Sequence, residues 1–284
     1  AAIHSLVDDL VNGEVTVEQA KGMLQEIRRA PRMWARWIVT LGQGGVAAGV
    51  AMVLGAGWVG VLVALLTAVV VDRVLRALSP INLPDFYTGA IGGAVATIVA
   101  FVAYVLGRLD WVPMSPADFA YVVAGGIVML LPSRTITSAM EDIIGGYPVT
   151  GTARLFAVLL HSFGLIVGVA SALTACMAAV DAAGIILMPP DVGRLAWATS
   201  SPQMLLIGSA VVGLTGAITL QARRRMLLPA ALLGVMAVLI ASVLTQSGMG
   251  RVTSTGVAAV ALGFGARLMA LRMDSPPLTL GIPA

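Results

Sequence analysis

The chain has 284 residues, of which 58% are hydrophobic and only 11% charged, where an ordinary soluble domain carries about 25% charged residues. With a mean hydropathy of +0.96, this composition excludes a water-soluble globule and identifies an integral membrane protein. The net charge of +3 does not make a nucleic-acid binder, because the basic residues stand at the ends of apolar runs and form no single patch.

The chain opens on Ala1-Ala2-Ile3, without an initiator Met or a cleavable signal pattern, and closes on Pro283-Ala284; it is expected to be a piece of a longer protein. Residues 1–36 read as short helices that form the tail of a larger soluble domain or dock on the membrane part. Ile3, Leu6, Val7, Leu10 and Val11 recur at helical spacing and Gly13 is placed to end that helix. Thr16 and Gln19 then form a capping-box pattern for a second helix with Ala20, Met23, Leu24 and Ile27 on one face. Asp8, Asp9, Glu14 and Glu18 disfavour a membrane-surface role for this segment.

From Trp37 onward, apolar segments of about 17–25 residues, the length that crosses a bilayer, follow one another with short polar breaks. Spans are predicted at residues 37–56, 57–76, 87–107, 117–131, 154–180, 203–221, 226–246 and 252–271. Only Gly55-Ala56-Gly57-Trp58 separates the first two, which therefore form a tight hairpin. The fourth is short, as a helix would be that stops at Pro132 partway through the bilayer. Cys176 cannot form an internal disulfide, being the one cysteine in the chain, and reads as a small packing residue.

Cytoplasmic loops hold the excess of Lys and Arg. With the N-terminus inside, all of the basic residues except Arg108, Arg194 and Arg251 fall on the cytoplasmic side. The loop 181–202, with Pro189-Pro190 and Pro202, is then external and divides a first half of five spans (37–180) from the start of a second half (203–284) with three. Two further spans would complete a five-plus-five arrangement. An odd number per half turns the halves over relative to one another, the inverted repeat of many secondary transporters. The fold class is all-α, a polytopic membrane helical bundle of about eight spans.

The polar stretch 131–154, between two long apolar segments, carries the chemistry. Pro132 cannot donate a backbone hydrogen bond and breaks the helix, and such a break at membrane depth needs protein or water to cover it. A restarted helix would offer its N-terminal amides, with the Ser133, Thr135 and Thr137 hydroxyls, to a carboxylate, and Asp142 could meet an ammonium group or hold a proton. The same residues also suit a solvated cytoplasmic connector in which Arg134, Glu141 and Asp142 meet only water. Arg154 reads as a topology anchor at the start of the fifth span, or as the partner of Asp142. His161, about 10 Å further along that helix, is an ionisable group at depth, suited either to proton coupling or to a structural hydrogen bond. Asp72 with Arg76 one turn on reads first as an interfacial ion pair and otherwise as a cavity carboxylate. Asp85 after Pro84 is placed to cap the third span.

Gln43, Thr67, Thr97, Ser171 and Thr174 are expected mostly to hydrogen-bond between helices. Gly45 with Gly49, and Gly164 with Gly168, give the small-xxx-small spacing of closely approaching helices. No Gly-x-Gly-Asp, His-Glu-x-x-His, P-loop or paired Asp-x-x-Asp pattern is present, and two His and one Cys supply no metal cluster. An enzyme is not expected, nor a cofactor or a metal.

Leu131-Pro132-Ser133, Asp142, Gly145-Gly146, Gly151 and Arg154-Leu155 together resemble the signature that closes the first transmembrane half in the threonine/serine exporter family. Ser133-Arg134 stands where that pattern has glycine. Val17-Glu18-Gln19-Ala20 through Leu24-Gln25-Glu26-Ile27, with the aromatic and basic entry from Arg32 to Trp37, is similar to the end of that family's cytoplasmic domain. Met273-Asp274-Ser275-Pro276-Pro277 through Gly281-Ile282-Pro283-Ala284 is similar to the approach to its last two helices. The resemblance implies a multi-pass carrier of the bacterial plasma membrane that exports small hydroxylated amino acids, L-threonine and L-serine, energised by protons. Its implied partners are amino acids, protons and the lipid bilayer, with a homo-oligomer allowed for and no nucleic acid. A dicarboxylate exporter of the succinate type, and a non-transporting scaffold or channel, are the competing readings.

Overall fold

The computed structural model describes residues 10, 15–29, 33–109, 111, 113–184 and 201–273, and among these every regular element is helical. The predicted helix over Ile3 to Val11 lies outside the described residues. The second cytoplasmic helix, α1 (Val17–Arg29), starts on the expected capping box: Thr16 N donates to Gln19 Oε1 at 3.0 Å and Gln19 N to Thr16 Oγ1 at 3.4 Å. Each partner satisfies an amide that the first helical turn leaves free.

The spans follow as α2 (Arg36–Leu54), α3 (Trp58–Leu78), α4 (Asp85–Arg108), α5 (Asp118–Ile127) with the 3-10 turn Val128–Leu130, α6 (Ser133–Ile144), α7 (Pro148–Ala182), α8 (Pro202–Thr219), α9 (Leu227–Gln246) and α10 (Arg251–Met273). Among the described residues, seven helices are long and apolar enough to cross a bilayer, and the count is eight if α5 and α6, bent by 46° at the break between them, are taken as one span.

Most predicted limits lie within a few residues of these. The largest departure is α7, which starts at Pro148 instead of residue 154 and runs for 35 residues. Proline suits a first helical turn, where its missing N–H is not needed. The polar residues after it stay helical because they pack on α6. A Cβ at Gly151 would lie 2.7 Å from Ala139 O, so the two backbones touch. At 1.5 Å per residue α7 is about 52 Å long, more than the ~30 Å hydrocarbon layer, and it extends beyond the bilayer.

The α2–α3 hairpin turns through Gly55, whose φ of 95° is left-handed. The turn is fixed by Asp118, a buried carboxylate on another helix. Its Oδ1 accepts from Gly57 N at 2.9 Å and its Oδ2 from Ser115 N at 2.9 Å. The interior is built from small residues: Ala47, Ala51, Ala64, Ala96 and Ala100 are fully buried. Cys176 packs against this first core, as a small interior residue should. Leu66, Leu159, Phe163, Ile166 and Phe264 instead point outward, an arrangement that only a lipid surrounding tolerates.

The expected hydrogen bonds between helices are largely not made. Thr67 and Thr97 donate to Val63 O and Gly93 O, both at 2.8 Å, and Ser171 and Thr174 likewise return to Gly168 O and Ala170 O. A hydroxyl on a helix finds its own preceding carbonyl more readily than a partner across the interface.

Glycines bring the helices together where spacing suggested. Gly164 and Gly168 of α7 lie against the backbone of α4 at Phe86 and Ala90, while Gly89 and Gly93 of α4 lie against α7 at His161 and Leu165. The first five spans meet the last three through α2 and α8. Cβ atoms built at Gly49 and Gly208 would each lie 2.8 Å from the other's carbonyl oxygen. Below that contact, Trp34 Nε1 donates to Ala222 O at 2.9 Å, Trp34 N to Gln221 Oε1 at 3.0 Å, and the Arg224 guanidinium lies 5.4 Å from the indole centroid.

Candidate functional site

The break in the fourth span has a local cause. Leu131 precedes a proline and is pushed into extended backbone, φ −64° and ψ 126°. Pro132, at φ −81° and ψ 48°, sits at the centre of an inverse γ-turn in which Ser133 N donates to Leu131 O at 2.8 Å. The helix restarts from there, with Ile136 N on Pro132 O at 3.0 Å. Among the described residues no backbone amide outside the regular helices donates to Leu130 O.

The break faces a cavity of about 550 Å³, in the range of sites that hold small molecules. Its walls come from both groups of spans. Val46 and Val50 of α2, Ala157, Val158 and His161 of α7, and Val212, Gly216, Thr219 and Leu220 at the end of α8 surround the segment Val128–Thr135, and Asp85 stands at the start of α4. The apolar walls leave a few polar groups to orient a ligand: Asp85, Ser133, Arg134, Thr135, His161 and Thr219.

Their hydrogen bonding separates them. Thr219 Oγ1 is engaged with Gly216 O at 2.7 Å, and both ring nitrogens of His161 are taken: Nδ1 lies 3.0 Å from Asp85 O and Nε2 2.8 Å from Leu130 O. Among the described residues the ion pairs are Asp72 with Arg76 and Asp142 with Arg154. Among the described residues the Asp85 carboxylate and the Arg134 guanidinium are therefore opposite charges without an ion-pair partner that line the same cavity, as do the Ser133 and Thr135 hydroxyls. Asp85 does not make the predicted cap. Pro84 is the residue before the helix, and no side chain bonds the first turn.

Of the predicted candidates, Ser133, Thr135 and His161 thus line one cavity, and four others do not. Thr137 returns its hydroxyl to Ser133 O at 3.1 Å. Asp142 Oδ2 meets Arg154 Nη1 at 2.7 Å and joins the end of α6 to the second turn of α7. Asp72 accepts from Thr40 Oγ1 and from Arg76 Nε, both at 2.9 Å, which ties α2 to α3. Asp85 and Arg134 contribute more to the cavity, and Asp118 more to the architecture, than their sequence context indicated. A charged residue within two positions of a proline was the available signal for the first two. For Asp118 there was none, since its partner Gly57 is 61 residues away. Among the described residues, no three His, Cys, Asp or Glu side chains converge as metal ligands do.

Residues 1–175 match the family model described as "Putative threonine/serine exporter", and residues 205–284 match that of "Threonine/Serine exporter, ThrE". The chain is 34% identical over 282 residues to a "Probable threonine/serine exporter" of Mycobacterium tuberculosis, covering 98% of this chain and 51% of that protein. It is 28% identical over 280 residues to the "Threonine/serine exporter" of Corynebacterium glutamicum, covering 99% of this chain and 55% of that one. A shorter similarity, 22% over 173 residues, covers 58% of this chain and 14% of the pheromone-regulated membrane protein 10 of the yeast Yarrowia lipolytica. The chain spans about half the length of the two exporters it matches. No solved structure matches it.

Proposed function

The chain belongs to the threonine/serine exporter family, and from that premise we propose that it forms the substrate path of a secondary carrier moving L-threonine and L-serine out across the bacterial plasma membrane. The observation that carries this reading is the cavity that Asp85 and Arg134, opposite charges without an ion-pair partner among the described residues, line together with the Ser133 and Thr135 hydroxyls. A zwitterionic amino acid has a matching set. Its carboxylate faces Arg134 and the first turn of α6, where helix amides favour negative charge. Its ammonium group faces Asp85, and its side-chain hydroxyl meets Ser133 or Thr135. A dicarboxylate would bring its second anionic group towards Asp85, which disfavours that competing substrate.

The N-terminus lies inside, by the distribution of Lys and Arg. The cavity then opens towards the cytoplasmic half of the bilayer, at the boundary between the first five spans and the last three. Movement of α8 against α2 and the broken span exposes the site to either side in turn, with the proton gradient as the driving force. Asp142 with Arg154, and Asp72 with Thr40, hold the helices that frame the site, Thr137 is bonded within α6, and in this reading none of them contacts substrate.

The test uses the protein as its gene encodes it, in inverted membrane vesicles. Labelled threonine is taken up, a protonophore abolishes uptake, and excess serine competes while succinate does not. Uptake indifferent to the protonophore removes the coupling, and competition by succinate moves the assignment to dicarboxylates. Asp85→Asn and Arg134→Gln each lose a charge-assisted hydrogen bond of about 1.5–3 kcal/mol, which raises KM for threonine roughly 10–100-fold. An unchanged KM in both variants places the substrate elsewhere.

A further inference from the structure

Both ring nitrogens of His161 end on backbone carbonyl oxygens, and we infer that this histidine is a proton-controlled tie between the start of α4 and the break in the fourth span. Asp85 O stands 3.0 Å from Nδ1 and Leu130 O stands 2.8 Å from Nε2. A carbonyl oxygen only accepts. A neutral imidazole has one N–H and one bare nitrogen, so it donates to one of these carbonyls and turns a lone pair on the other; an imidazolium donates to both. The arrangement is complete only for the doubly protonated ring. The tie is therefore made when a proton binds and loses one arm when it leaves.

The geometry also identifies the arm that gives way. On the α4 side, Gly89 and Gly93 lie against α7 while Gly164 and Gly168 lie against α4, with no room for a Cβ, so the backbones are already in contact and Asp85 O is held in place. The Leu130 side is different. Its carbonyl ends a 3-10 turn, the proline two residues on interrupts the amide ladder, and among the described residues no backbone N–H takes it; His161 is its partner. Loss of the proton frees Leu130 O and with it the hinge through Leu131 and Pro132, whose far side is the first turn of α6. Binding or loss of one proton thus becomes a movement of the cavity wall that carries Ser133, Arg134 and Thr135.

The charged groups that share the cavity with the ring are Asp85 from α4 and Arg134 from α6. The walls from α2 and α8 present Val46, Val50, Val212 and Thr219, none of which titrates. On α7 itself the nearest charge, Arg154, is two turns away and engaged by Asp142. The tie needs no substrate, and it rests on the carrier reading only for its consequence in transport.

The test reads the tie without transport. Spin labels at Tyr87→Cys on α4 and Met140→Cys on α6, both exposed positions, with Cys176→Ser, report the distance between the start of α4 and the restarted helix in lipid nanodiscs at about pH 5 and about pH 8. In the parent the distance distribution is narrow at the lower pH and shifts or broadens at the higher one. In His161→Gln, which cannot titrate, it is the same at both. A second readout is the ring 15N spectrum of the histidine-labelled parent, with His4→Gln identifying the other ring of this chain. It shows two N–H nitrogens for His161 at the lower pH, and it stands even where His161→Gln does not fold. A neutral ring at about pH 5, or an equal pH response in parent and His161→Gln, overturns the inference. A positive label result with no threonine transport leaves the tie standing and removes only the exporter reading.

Discussion

Replacing Asp118 is the most direct test of how the first hairpin is fastened. The side chain is buried, at 4% exposure, and each oxygen takes one backbone amide at 2.9 Å, Gly57 N at the start of α3 and Ser115 N before its own helix. A hydrogen bond to a charged group contributes about 1.5–3 kcal/mol, so the pair contributes roughly 3–6 kcal/mol. Water reaches helix ends at the bilayer surface and satisfies part of what is lost, which brings the expected cost of Asp118→Ala to about 2–4 kcal/mol. Asp118→Asn keeps the shape but turns an NH2 group towards one of the two donor amides, and should lose at least half as much. Unfolding by SDS titration in mixed micelles measures both, and Asp181→Asn, on the exposed last turn of α7, is the control and should be neutral. An Asp118→Ala change within about 0.5 kcal/mol of the parent, the range of an ordinary surface substitution, would refute the assignment of this carboxylate as the fastener.

Gly93→Ala places a Cβ 2.6 Å from Leu165 O, where an ordinary contact begins at 3.4 Å, so α4 and α7 must part; the expected loss is about 1–3 kcal/mol in the same titration. Gly256→Ala on α10 meets nothing within 4 Å and should instead gain up to about 1 kcal/mol from helix propensity. The Asp142–Arg154 pair is close but partly open to solvent, with side chains 25% and 46% exposed. A double-mutant cycle with Asp142→Asn and Arg154→Gln should return a coupling below about 1 kcal/mol; a value several times larger would assign the pair a role beyond joining α6 to α7.

Much of this protein could be read from the sequence because the bilayer imposes one rule on every residue of a span: apolar, and long enough to cross. That rule located the eight segments, the tight hairpin at Gly55 and the short fourth helix ending at Pro132, since proline acts on its own backbone and needs no partner. The capping box at Thr16 and Gln19 was legible for the same reason, as both groups lie within one turn. The tertiary structure decided which polar groups meet. Asp85 and His161 are 76 residues apart, and Leu130 and His161 are 31 apart. They converge because glycines let α4 and α7 touch at one particular crossing, and the break frees one carbonyl at that height. The residue types of Asp72, Asp142 and Arg154 were equally suggestive in the sequence. Each found an opposite charge on its own helix or the next one and was drawn out of the cavity. Among the described residues Arg134 and Asp85 have none, and both line the cavity. A charge's identity belongs to the sequence, but the partner that neutralises it is set by distance, and distance across helices exists only once they are packed.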